Sequence, residues 1–238
     1  MFDLIAFDAD DTLWHSESRY AEAQAKFKQL LAQYHSPEQI EQRLHQTEMR
    51  NLQFYGYGIK GFALSLIETA IELTEGRIRG DEIQHLIDLT KDMLTAEVQL
   101  LDHAADSVAR LAASYPLMLI TKGDLFDQET KIARSGLRPY FRYIEVVSDK
   151  TDGSYAALLA KYQLDPARFL MVGNSLRSDI LPVVALGGQA VYIPYQITWA
   201  HETVVLSEQD RSRFFELEHI GLLPALVERL SLGHIDQR

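Results

Sequence analysis

Phe2-Asp3-Leu4-Ile5-Ala6-Phe7-Asp8-Ala9-Asp10-Asp11-Thr12-Leu13 is a mostly apolar run that ends in three carboxylates within four positions. Packing does not account for that ending, because crowded carboxylates repel one another unless a cation sits among them. Phe2 to Phe7 reads as a strand, and open α/β sheets bind ligands beyond the C-terminal ends of their strands. Alternation along the extended chain puts Asp8 and Asp10 on one side with Ala9 turned away, so two carboxylates converge on one reacting centre. A divalent metal and a phosphate are the cation and substrate this arrangement suggests. Asp11 points elsewhere and reads as a turn or cap residue.

The pattern changes abruptly after this motif. From about Ser16 to Val98 it is helical throughout, and four helices fit. The first lies near Glu17–Tyr34, and the second opens with Ser36 as N-cap and Pro37 at its first position. The third begins near Ile59, where Ile59, Phe62, Ala63, Leu66, Ile67, Ala70 and Ile71 keep one apolar stripe at helical period. Ile83, Leu86, Ile87, Met93 and Leu94 mark the fourth. Beyond Leu101, short apolar runs at Leu117–Thr121, Tyr143–Ser148, Phe169–Gly173 and Ala190–Ile193 alternate with amphipathic segments. This predicts an α/β fold with a doubly wound parallel sheet. Residues 1–15 and 99–238 form the sheet domain, and 16–98 an all-helical domain inserted after the first strand.

Composition narrows the function. Lys plus Arg total 23 against 34 Asp plus Glu, so the formal charge is 23 − 34 = −11. That disfavours nonspecific binding to nucleic acid or an anionic membrane. Without cysteine there is no disulfide framework, thiolate zinc site or cysteine nucleophile. The N-terminus lacks a basic region, and no run approaches the ~20 apolar residues of a membrane span. A cytoplasmic protein acting on a small soluble partner is expected; oligomeric state is not legible.

Three further features stand at strand ends. Thr121 is followed by Lys122-Gly123-Asp124, where a hydroxyl and the backbone N–H groups of a helix start can hold phosphate oxygens, although a helix cap is the plainer reading. Lys150 follows the third apolar run; alone, a lysine there reads as a solvated surface residue. Gly173-Asn174 ends the next run and Asp179 follows. Asn174 can coordinate a hard cation through its amide oxygen and Asp179 can hold it or its waters; the plainer alternative is a turn and an N-cap.

Together these features resemble the haloacid dehalogenase superfamily, and within it the phosphatases with a helical cap. That family carries Asp-x-Asp-x-Thr, a Thr or Ser after an apolar strand, a Lys, and Gly-Asp followed by a second acid. Here they stand as Asp8/Asp10/Thr12, Thr121, Lys150 and Gly173/Asn174/Asp179, in the same order. The resemblance implies phosphoryl transfer in two steps: Asp8 attacks phosphorus to give an aspartyl-phosphate, and Asp10 protonates the leaving alcohol, then activates water. A carboxylate can serve as acid near neutral pH if its neighbour Asp8 and an apolar wall raise its pKa. The resemblance also implies Mg²⁺ held by Asp8, Asp10, Asn174 and Asp179, with Thr121, Lys122 and Lys150 on the phosphate. The family usually has Asp at the position of Asn174, so weaker Mg²⁺ binding is expected.

A Mg²⁺-dependent phosphomonoester hydrolase of a small phosphometabolite is the expected function. A phosphomutase would use the same residues; a dehalogenase fits less well, because those enzymes lack the second acid that Asp10 supplies. A phosphate-accepting signalling module would lack the helical insertion, and a non-catalytic binding protein would not need the acid pair. Gly56-Tyr57-Gly58-Ile59-Lys60-Gly61 matches a dinucleotide-binding pattern, but it lacks the preceding strand. It reads as a turn between two helices from which Tyr57 and Lys60 select the substrate, or as a plain loop. His201 reads as a loop histidine, and Trp199 as a residue that covers part of the site.

Overall fold

The computed structural model describes residues 1–232; residues 233–238, the end of the expected sheet domain, lie outside the described residues. The chain forms two compact units. One comprises Met1–Glu17, Val98–Thr121 and Thr130 onward; the other comprises Ser18–Glu97 together with Lys122–Glu129.

The first unit is built on a sheet of β1 (Leu4–Phe7), β2 (Leu117–Lys122), β3 (Tyr143–Val147), β4 (Phe169–Gly173), β5 (Gln189–Tyr192) and β6 (Phe215–Glu216), in the order β3-β2-β1-β4-β5-β6. β1 pairs in parallel with both β2 and β4, and β4–β5 and β5–β6 are parallel as well. β1 therefore lies inside the sheet, which is why all four of its residues are apolar and buried. Alternation splits them between two layers. Ile5 and Phe7 pack with Val108 and Leu111 of α5 (Ala104–Ala112) and with Leu223 and Val227 near the C-terminus, whereas Leu4 and Ala6 pack with Tyr155, Leu158 and Val183 on the other face. Helices on both faces make the sheet doubly wound, as the alternating pattern predicts. The two-residue β6 escaped prediction because so short a strand carries no periodicity.

The second unit is built from α1 (Glu17–Leu31), α2 (Pro37–Tyr55), α3 (Ile59–Leu73) and α4 (Gly80–Thr95). Phe27, Leu44, Leu66 and Leu86, one from each helix, are among the residues of its own buried core. Ser36 caps α2 as predicted, accepting from Gln39 N at 3.4 Å, while the Gln39 side chain accepts from Ser36 N at 3.1 Å. α1 stops at Leu31 rather than Tyr34. Pro37 disfavours a helical residue before it, and Ser36 is extended at ψ 155°, so the chain must leave α1 early to enter this cap.

Lys122–Glu129, which patterning assigned to the sheet domain, belongs by its contacts to the helical unit. Its turn lies against the α2–α3 loop: Gly58, at φ +119°, approaches Asp124 so closely that a Cβ would stand 3.0 Å from the Asp124 backbone nitrogen. Only glycine suits both that conformation and that approach.

Candidate active site

β3, β2, β1 and β4 are neighbours, so Lys150, Thr121, Asp8 and Asn174 stand at the C-terminal ends of four consecutive strands. Asp8 N–H still donates to the Val172 carbonyl at 2.8 Å, which carries the β1–β4 pairing one residue past the strand and fixes the carboxylate at the sheet edge. The chain then turns sharply. The Ala9 carbonyl accepts from Leu13 N at 2.8 Å, and Asp11 adopts φ +61°. Asp11 turns away from Asp8, and its carboxylate accepts from the N–H groups of Ser16 and Glu17 at 2.8 to 3.1 Å, capping the start of α1. Burial nevertheless pushes it up to about 7, against those N–H groups.

Lys150, which read alone as a surface lysine, is buried, with a side chain 2% exposed. Its ammonium donates to Asp8 Oδ1 and, at 2.7 Å, to Asp179 Oδ1. One cation between two carboxylates explains how all three are buried. Burial pushes the Asp8 carboxyl up to about 7, opposed by Lys150 and reinforced by Asp179 and Asp10. Burial works against the charge on Lys150, but Asp179 and Asp8 outweigh it and hold the lysine above its ordinary range.

Asp179 reaches this position through Gly173 and a π-helical turn at Leu176–Ile180. Its carboxylate lies over the Gly173 backbone, where an added Cβ would come within 2.3 Å of Oδ2. Ser175 N donates to Oδ2 at 3.0 Å, so both Asp179 oxygens are engaged.

Asn174 faces Asp8 instead. Thr12 Oγ1 lies 3.0 Å from Asp8 Oδ2 and 3.1 Å from the Asn174 amide oxygen. The same tip of the amide is 3.2 Å from Asp8 Oδ2 and 3.1 Å from the Asp10 carbonyl oxygen. With the amide oxygen at that tip, acceptors face one another, a contact that a bound cation relieves and that the amide NH₂ in the same place relieves as well. Adjacent ligands of an octahedral Mg²⁺ with bonds of ~2.1 Å stand about 3.0 Å apart, and hard oxygen donors are what that ion takes. Asp8, the Asp10 carbonyl and Asn174 therefore fit Mg²⁺. Among the described residues no three His, Cys, Asp or Glu side chains gather around a metal position, so a cation held here would take amide and carbonyl oxygens beside the Asp8 carboxylate.

Asp10 has donors of its own. Lys131 of α6 (Leu125–Arg134) donates to both carboxylate oxygens at 2.8 Å, and Trp14 Nε1 donates to Oδ1 at 2.7 Å. Sequence reading missed both partners. Trp14, four residues on, could have been suspected, but Lys131 is 121 residues away and carries no local signal.

Thr121 is buried at the end of β2. Lys122, Tyr57 and Lys60 group together in the helical unit: the Lys122 ammonium sits 4.3 Å from the centre of the Tyr57 ring, and Lys60 donates to Asp124 at 2.8 Å. Asp124, not Thr121, caps α6, accepting from Asp127 N at 3.1 Å. The Trp199 ring lies against His201, whose carbonyl accepts from Arg177 at 2.7 Å. Nearby Glu202 accepts from the hydroxyls of Ser175 and Ser178, which ties this segment to the turn that carries Asp179.

A family model described as haloacid dehalogenase-like hydrolase matches residues 2–187. A haloacid dehalogenase-like family hydrolase from Xanthomonas campestris is 42% identical, with a TM-score of 0.87 over 100% of this chain and 95% of that one. Two more distant structures share the fold. A HAD-type hydrolase from Bacillus subtilis, described as bound to magnesium, is 17% identical with a TM-score of 0.66, over 95% of this chain and 99% of its own. A 2-haloacid dehalogenase from Pseudomonas syringae pv. tomato is 22% identical with a TM-score of 0.62, over 97% of this chain and 100% of its own. No curated protein sequence matches the chain. On the family model and the Xanthomonas likeness, the chain belongs to the haloacid dehalogenase-like hydrolases, and is an enzyme of that class.

Proposed function

We propose that the chain is a Mg²⁺-dependent phosphomonoester hydrolase of a small soluble phosphometabolite, within the helically capped branch of the family. The observation that carries this reading is Asp10, a second carboxylate two residues from Asp8 and fixed by two donors of its own. Displacement of a halide needs no proton for the leaving group, whereas departure of an alkoxide does.

Asp8 Oδ2 faces Thr12 and Asn174, which leaves Oδ1, beside Lys150, to attack phosphorus. The new P–O bond forms as the bond to the alcohol oxygen breaks, and Asp10 gives that oxygen a proton. Water then attacks the aspartyl-phosphate while Asp10 takes its proton, releasing phosphate and restoring Asp8. Lys150 and Thr121 hold the transferring oxygens, where fixed charge and donors matter most. Asp8, Asn174 and the Asp10 carbonyl would hold Mg²⁺, which offsets the repulsion between carboxylate and phosphate. Asp179 supports the site from behind, through Lys150.

The test is a panel of phosphomonoesters and 2-haloacids assayed with Mg²⁺ and with EDTA. Phosphate release that requires Mg²⁺, with no halide release, is expected. Metal-independent halide release, or no phosphate from any ester, would overturn the reading.

Lys131 contacts both carboxylate oxygens of Asp10, and a role exerted through Asp10 gives a second expectation. Lys131→Met should lower kcat by ~10–10²-fold with KM nearly unchanged, and should cost little more in an Asp10→Asn background. Additive losses in the double variant would make Lys131 merely structural.

A further inference from the structure

The hydrogen inventory around Asn174 admits two states. With the amide oxygen toward Asp8, the single proton of Thr12 Oγ1 can serve either Asp8 Oδ2 or Asn174, and the remaining oxygens meet lone pair to lone pair. With the amide turned over, every group is satisfied. Its nitrogen donates to Asp8 Oδ2 at 3.2 Å and to the Asp10 carbonyl at 3.1 Å, and lies 3.1 Å from Thr12 Oγ1, whose proton goes to Asp8. The amide NH₂ then occupies the place of a cation, between the same oxygens that a cation would bind.

We propose that Asn174 is a reversible surrogate for the metal: its NH₂ face holds the site together without Mg²⁺, and binding of the ion requires the amide to turn so that its oxygen becomes a ligand. The inference rests on the cation of the hydrolase reading and adds how the site behaves without it. Two consequences follow from the donor count. Metal binding must first break hydrogen bonds to Asp8 and Asp10, so the ion is held weakly and exchanges readily. A carboxylate at 174 could not donate, so in the metal-free site Asp8 Oδ2 and the Asp10 carbonyl would lose the amide donor and face a second anion instead.

The wild-type protein itself supplies the decisive measurement. In a ¹⁵N-labelled sample the Asn174 side-chain NH₂ pair should be shifted and slow to exchange in EDTA, and should move to an exposed, fast-exchanging position as Mg²⁺ saturates. Thermal unfolding supplies the second. Asn174→Asp should melt roughly 3–6 °C below wild type in EDTA, and should gain more from Mg²⁺, with half-saturation at about tenfold lower concentration. An NH₂ pair unmoved by saturating Mg²⁺ would overturn the proposal, as would Asn174→Asp as stable as wild type in EDTA or a wild type blind to Mg²⁺. None of these readouts uses turnover, so failure of the phosphatase reading shows separately, in the phosphate assay.

Discussion

Asp8→Asn is expected to abolish steady-state phosphate release, a loss on the order of 10⁵-fold or more, while the protein stays folded. The amide still accepts from Thr12, and the charges left behind, Lys150 and Asp179, form a neutral pair. Stability should respond to pH in one direction. The carboxyl of Asp8 is held at about 7 against its ordinary 3.8. A group raised in the folded state gives its full stability below its unfolded pKa and loses it as pH rises through the folded one. Wild type in EDTA should therefore match Asp8→Asn near pH ~4 and fall below it by pH ~8. Thermal melts across that range test the stability, and a phosphate assay on the purified variant tests the chemistry. Turnover above contaminant level would remove Asp8 as nucleophile.

Lys150→Met should produce the largest loss of stability. It leaves Asp8 and Asp179 buried without their shared cation, and removing one partner of a buried ion pair costs about 3–5 kcal/mol. At 2–4 °C per kcal/mol for a chain of this size, the melting temperature should drop by roughly 10 °C near neutral pH. The deficit should shrink in acid, because protonating either carboxylate ends the repulsion. A variant as stable as wild type at pH ~8 would mean that the two ion pairs contribute little to the fold.

Lys150 also marks the boundary of what the sequence reveals. β1, β2 and β4 were legible because strands buried on both faces become continuous apolar runs, as Leu117 to Ile120 does. The cap of α2 was legible because its partners, Ser36 and Gln39, are three residues apart. The acid motif was legible as a cluster of residue types ending an apolar run, although β1 stops at Phe7 and the chain turns after Asp8, so strand alternation does not extend to Asp10. Lys150, by contrast, is buried by carboxylates 142 and 29 residues away, and no local pattern separates it from a surface lysine. Asp10 shows the same limit: the lysine that α6 brings to it lies 121 residues away. The family resemblance assembled the motifs of the site, not the contacts between them.

The π-helical turn sets a different constraint on this site. Asp179 N–H and Ile180 N–H both donate to the Ser175 carbonyl, at 2.8 and 3.2 Å, so the turn holds one more residue than an α-helix would. That extra residue aims Asp179 at Lys150. Removing any one of residues 176–178 would restore ordinary helical spacing and rotate Asp179 by about 100° around the helix axis. Substitutions in the turn can be absorbed, whereas a gap of one residue cannot. Among relatives of this chain, a single deletion between the glycine and the second acid is therefore a sharper mark of a lost site than any change of residue type within the same stretch.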